Sequence, residues 1–188
     1  MSEELVQLVD RRGRPAGQAP RRLCHGDPRL RQGVAHLYLF DREGRLYLQL
    51  RSLTKDRFPG CWDTSVGGHL APGESPEQAL RREAREELGI ELERWQKLPG
   101  YLYADEVESE YVFAFRTVYD GPLDPDPAEV AGGSFLTLRE IERRLAADPR
   151  QFTRHFRVGF RRFGRHLRRC LRRRGARNLP VTPEPPSD

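Results

Sequence analysis

Three glutamates, Glu83, Glu86 and Glu87, stand at i, i+3 and i+4 in the segment REAREELG. If that segment is helical, their carboxylates leave neighbouring positions on one face. Like charges so placed repel by about 0.2–0.5 kcal/mol per pair, and a divalent cation would relieve the repulsion. Carboxylate oxygens on a rigid element, with positions left over for phosphate and water, are the ligand set that Mg²⁺ accepts. The bland alternative is a solvated acidic face answered by Arg82 and Arg85. Upstream, the loop from Gly68 to Gly73 gives the backbone freedom to turn tightly into such a helix.

Both ends of the helix are encoded locally. Ser75 suits the N-cap, Pro76 the first helical position and Gln78 the third residue of a capping box, while Gly89 supplies the stop. Around it the chain reads as strands. Gly33–Asp41 and Arg45–Ser52 flank a short turn containing Gly44 and predict a hairpin. LVQLVD and a segment after Gly13 predict an earlier pair, and Ser109–Asp120 predicts another strand, ended by GPLDPDP. His36 falls in mid-strand and reads as a packed or exposed strand residue rather than a ligand. Thr137–Ala147 predicts a short helix. Strands on both sides of a central helix, with further helices at the C-terminus, predict an α+β or α/β sandwich with mixed sheets.

A chain of 188 residues has room for one domain, expected over 1–177, followed by a proline-rich tail, 178–188, expected to be disordered. At 37% hydrophobic and 32% charged it can bury a core. No apolar run approaches the roughly 20 residues of a membrane span, and the first residues lack a signal core. A cytoplasmic protein without membrane contact is expected. Three cysteines without C-x-x-C spacing encode neither a disulfide framework nor a zinc site. All but Lys55 and Lys97 of the 33 basic residues are arginines, and they crowd into Arg154–Arg177. Phe156, Phe160, Phe163, Leu167 and Leu171 recur there near helical spacing, so the segment predicts a basic amphipathic helix. Such a helix either docks by its apolar stripe or forms a nucleic-acid arm. Docking is favoured, because no base-reading constellation accompanies the charge.

The stretch from Gly68 to Ile90 spaces its residues as Gly68, five residues, Glu74, seven residues, Arg82-Glu83, Ala84, Arg85, Glu86-Glu87, Leu88, Gly89, Ile90. It resembles the Nudix box, G-x5-E-x7-R-E-U-x-E-E-x-G-U with U aliphatic, the signature of Nudix hydrolases. Ala84 is smaller than the usual aliphatic residue, a departure that touches packing. The resemblance implies a Nudix-type α/β/α sandwich with a mixed β-sheet. It implies Mg²⁺ or Mn²⁺ bound by Glu83, Glu86, Glu87 and the Gly68 carbonyl, with Glu83 and Glu86 in the catalytic role. Glu74 and Arg82 are expected to form a structural ion pair. The reaction implied is hydrolysis of a phosphoanhydride in a small-molecule diphosphate, nucleoside diphosphates included.

A second layer of resemblance, strongest from Gln49 to Ser75, is to the Nudix branch containing isopentenyl-diphosphate isomerase. It implies that Arg51 and Lys55 bind phosphate. Against an isomerase stand Gly67 where the branch places a catalytic cysteine, with Cys61 six residues earlier, and a missing histidine near Arg31 or Gln32. The box itself is intact, whereas the isomerases' is degenerate. His25 and His69 match in context. His69, Glu108 and Glu110 are the candidates for a second metal or a general base, the alternative for the glutamates being an acidic loop before a strand. Glu129 has no assigned rank. Rival readings are an isomerase, or an idle module binding nucleic acid through the basic helix. Clustered carboxylates disfavour the latter.

Overall fold

The computed structural model describes residues 3–173, and in its last helix leaves aside the side chains of 165, 166 and 168–173. The order is β1 (Leu5–Val9), β2 (Pro15–Pro20), α1 (Arg21–Cys24), β3 (Arg31–Phe40), β4 (Leu46–Arg51), β5 (Trp62–Asp63), β6 (Val66–His69), α2 (Pro76–Leu88), β7 (Gln96–Lys97), β8 (Tyr101–Ala104), β9 (Ser109–Val118), β10 (Val130–Leu136), α3 (Leu138–Ala147), a 3₁₀ turn (Pro149–Gln151) and α4 (Arg154–Arg173).

β3 organises the sheet. One edge runs parallel to β9 from Arg31↔Ser109 to Phe40↔Val118. Its other edge meets antiparallel β1, β6 and β4 in turn, at Leu8↔Gln32, Val34↔His69 to Leu37↔Val66, and Phe40↔Leu46. The sheet is mixed, as expected. Successive β3 side chains serve opposite layers. Ala35, Leu37 and Leu39 pack with Ala79, Leu80, Ala84 and Leu88 of α2. Val34, Tyr38 and Phe40 pack with Ile141 of α3 and Phe156, Phe160 and Phe163 of α4. Burial on both faces explains why the strand reads as a near-continuous apolar run. Helices therefore cover both faces, giving the α/β/α sandwich.

The hairpin expected from Gly33–Asp41 and Arg45–Ser52 needs correction. Its turn forms, with Asp41 and Arg45 bonded backbone to backbone and Gly44 at φ 77°. Its ladder stops after Phe40↔Leu46, because β4 leaves β3 to pair with β5 and β10. The vacated length of β3 is taken by β6, which brings the loop before α2 to the middle of the sheet.

The basic segment docks. Phe156, Phe160, Phe163 and Leu167 are all buried. Thr153 caps α4 by accepting the Phe156 amide at 3.0 Å, and its own amide donates to the Trp62 carbonyl at 2.9 Å. No described helix is long and apolar enough to cross a membrane. The expected last residues of the basic helix, 174–177, and the tail, 178–188, lie outside the described residues.

Candidate active site

A cavity of about 900 Å³ opens between the carboxylate face in the C-terminal half of α2, β6, the loop after β4 and the first turn of α4. Local sequence fixes α2 as expected. Ser75 and Gln78 close a reciprocal capping box, and Gly89 ends the helix at φ 64° in the left-handed region. Arg82 straps the preceding loop to the helix. Its Nε and Nη2 donate to the two Glu74 oxygens at 3.0 and 2.9 Å, and Nη2 also reaches the His69 carbonyl at 2.9 Å. The Glu74–Arg82 pair is thus structural. Arg82 Nη1 additionally reaches Glu83 at 2.7 Å and Glu86 at 3.1 Å, so part of the acidic face is answered internally. Arg85 turns away to Glu91.

The three glutamates are not equivalent. Glu86 keeps 54% of its side chain exposed, whereas Glu83 keeps 14%. Glu87 is buried, and its Oε2 accepts from Gln49 Nε2 and from the Gly67 amide, both at 3.1 Å. Burial pushes the Glu83 carboxyl above the ordinary range despite Arg82 beside it. Burial pushes Glu87 well above that range, and the Glu83 charge adds to the effect. A Cβ built on Gly68 would overlap the Glu83 carboxyl group, so only glycine lets the backbone lie against that carboxylate. A buried carboxylate and a partly buried one, with a peptide backbone pressed against the latter, form a hard oxygen donor set, and that set fits Mg²⁺ or Mn²⁺.

The opposite wall carries a second charged cluster. Glu108 and Glu110, which the sequence alone left as a possible acidic loop, are 1% and 5% exposed. His155, from the first turn of α4, places Nε2 3.1 Å from Glu108 and 3.4 Å from Glu110. Its ring packs on Tyr103 at 4.1 Å between centroids. His25 Nδ1 lies 2.7 Å from the second Glu108 oxygen, and Arg57 also pairs with Glu108. Burial alone would raise the Glu108 carboxyl, but His155, His25 and Arg57 hold it well below the usual range. Burial would lower His155, but the carboxylates of Glu110 and Glu108 outweigh it and push the imidazole up to about 10. One ligand atom each from Glu108, Glu110 and His155 lie within 4.8 Å of one another.

His69 ends β6 with its ring edge-on to His25 at 6.0 Å. Desolvation, aided by Arg21, pulls its imidazole down to about 4. Arg51 and Lys55 both line the cavity, yet neither is idle. Arg51 donates Nε and Nη2 to the Arg57 carbonyl at 3.2 and 3.1 Å and holds Nη1 3.5 Å from Asp63, while Lys55 pairs with Glu129. Glu129 thereby gains a place at the rim. His36 stands in mid-strand as a packed residue, as expected: it is buried, lines the cavity and lies 6.4 Å from the His155 ring. Cys61 is elsewhere, its Sγ 3.6 Å from the Arg150 carbonyl. Among the described residues no thiol lines the cavity.

A family model described as NUDIX domain matches residues 29–156. The chain belongs to the Nudix family. Nudix enzymes act on phosphorus-containing acid anhydrides and generally use divalent metal ions, and this chain is an enzyme of that class. It is 34% identical to a Nudix hydrolase of Deinococcus radiodurans over 78% of this chain and 86% of that one. It is also 34% identical to an isopentenyl-diphosphate Delta-isomerase of Streptomyces avermitilis, over 77% of each. A crystal structure from Deinococcus radiodurans superposes with a TM-score of 0.66 at 32% identity, covering 77% of this chain and 90% of that one. The Nudix box residues meet in the cavity with Arg51, Lys55, His69, Glu108 and Glu110. Sequence reasoning missed His155, Arg57, Gln49 and Asp63. The one available signal was His155 itself, a histidine at the start of the arginine-rich segment.

Proposed function

We propose that this Nudix enzyme hydrolyses the phosphoanhydride bond of an organic diphosphate, nucleoside-diphosphate types included, with Mg²⁺ or Mn²⁺ held by Glu83, Glu86, Glu87 and the Gly68 carbonyl. The observation that carries the reading is partly buried Glu83, against Gly68, with buried Glu87 in one cavity with Arg51 and Lys55. When bound, the cation would neutralise phosphate charge and make a water a competent nucleophile at neutral pH. The protein's own groups do the positioning. Gln49 and the Gly67 amide fix one Glu87 oxygen, Arg82 holds Glu83 and the loop in place, and exposed Glu86 sits at the rim. Glu108 and Glu110, with His155 and His69 beside them, are assigned to a second cation or to the base. The reading supposes a small-molecule substrate and a cytoplasmic setting.

Arg51 and Lys55 are assigned to the substrate phosphates, Arg as a planar fork and Lys as a mobile point charge. Replacing either with Ala should raise KM by about tenfold while leaving kcat within a few-fold. Steady-state kinetics on the single variants checks this, and an unchanged KM in both would return the two residues to their internal partners.

Isomerisation is the second reading, favoured by the relatives named isomerase and by the His and Glu cluster. The reaction requires a thiol where Gly67 stands, and a Cβ there would come within 3.3 Å of the His36 ring. Isopentenyl diphosphate is therefore expected to give no dimethylallyl diphosphate. Product analysis by gas chromatography decides the matter: conversion above background, unaffected by Cys61→Ala, would reverse the choice.

A further inference from the structure

Asp63 is a buried carboxylate on the cavity wall that belongs to neither acidic cluster. Its Oδ1 accepts from the Thr64 amide and from the Thr153 hydroxyl, each at 2.8 Å. Its Oδ2 lies 3.5 Å from Arg51 Nη1. Thr153 is itself fully buried and is the cap of α4, with its hydroxyl oxygen accepting the Phe156 amide. A continuous line of contacts therefore runs from the start of α4 through Thr153 and Asp63 to Arg51, joining residues 90 apart in sequence at its Thr153–Asp63 step.

Burying a carboxylate is unfavourable unless it is paired and hydrogen-bonded, and Asp63 is both. Its charge repels a polyanion, and its oxygens are engaged by Thr64, Thr153 and Arg51, which points to an indirect role. Arg51 supplies that role. With Nε and Nη2 on the Arg57 carbonyl and Nη1 toward Asp63, the guanidinium is fixed on one side, and its remaining N–H groups are free to meet phosphate oxygens. A fork held in advance loses less freedom on binding than one that swings.

We propose that Asp63 is a positioning residue for substrate phosphate: anchored by Thr153 of the α4 cap, it orients Arg51 into the cavity, so that docking of the C-terminal helix sets the strength of phosphate binding. The inference rests on the phosphate-binding assignment of Arg51.

The test uses the full chain and imidodiphosphate with Mg²⁺, a diphosphate whose bridge resists hydrolysis, with Kd measured by calorimetry. Arg51→Ala should weaken binding about tenfold, Asp63→Asn by a comparable factor, and Thr153→Val by several-fold, whereas Thr153→Ser, which keeps the hydroxyl, should bind like the parent. In an Arg51→Ala background the Asp63 and Thr153 changes should have no further effect. A merely structural role would lower the melting temperature without this dependence on Arg51. Should Asp63→Asn fail to fold, Asp63→Glu, which keeps the charge but displaces it, is expected to weaken binding in the same Arg51-dependent way. If Arg51→Ala weakens binding and the Asp63 variants do not, or if they weaken it equally without Arg51, this inference is overturned and the assignment of Arg51 stands. If Arg51→Ala binds imidodiphosphate like the parent, the assignment itself fails and the inference with it.

Discussion

Glu87→Gln is expected to lower kcat by about 10²-fold or more, and Glu83→Gln by a similar factor, the size of loss seen when a charge-stabilising group leaves an active site. Stability should move the other way. Both carboxyls sit above their ordinary range because burial disfavours their charge, so the ionised forms weaken the metal-free fold at neutral pH. A neutral amide of nearly the same shape removes that penalty and retains an acceptor for Gln49 and Gly67 at position 87. Kinetics together with thermal melts in chelator separate the two roles. A pair of glutamates kept for structure would lose melting temperature on substitution and retain turnover. A folded Glu87→Gln protein with full activity would place the metal elsewhere.

Ending the chain at Phe152 is expected to abolish cooperative folding. The deletion uncovers the sheet face that Phe156, Phe160, Phe163 and Leu167 bury. Each fully buried large side chain contributes about 1.5–3 kcal/mol, and four of them rival the roughly 5–15 kcal/mol that holds a typical domain together. The deletion also removes the Thr153 bonds to Trp62 and Asp63 and takes His155 from between Glu108 and Glu110. Insolubility, or a soluble protein without a cooperative near-ultraviolet melt, is the expected outcome. A truncated protein that melts like the parent but has lost a salt-sensitive affinity for RNA or DNA would make the arginine-rich helix a nucleic-acid arm.

What the sequence made legible was what is local. The caps of α2 and the short helix expected over Thr137–Ala147 depend on residues a few positions apart, and both stand in the structure as read. The hairpin failed at its ladder because strand pairing beyond the turn is decided by competition, and β6 displaced β4 from β3. His36 packs in mid-strand as read, but its neighbours were not legible. With β3 apolar on both faces, alternation cannot say which neighbours a polar residue will meet, and here they are His155 and the cavity. Glu108 and Glu110 needed partners from α1's far end, the loop after β4 and α4 before their burial made sense. Asp63 and Thr153 carry no motif at all. Their bond spans 90 residues and exists only once α4 has docked.

The measurement that bears most directly on the proposed mechanism is hydrolysis by the purified protein of a panel of nucleoside diphosphates, nucleotide sugars and isoprenoid diphosphates, with and without chelator. It is read as inorganic phosphate from terminal diphosphates and as two phosphate monoesters from nucleotide sugars. Hydrolysis of at least one of these diphosphates is predicted, abolished by EDTA and restored by excess Mg²⁺ or Mn²⁺. Turnover indifferent to chelation would contradict a metal centre on Glu83, Glu86 and Glu87.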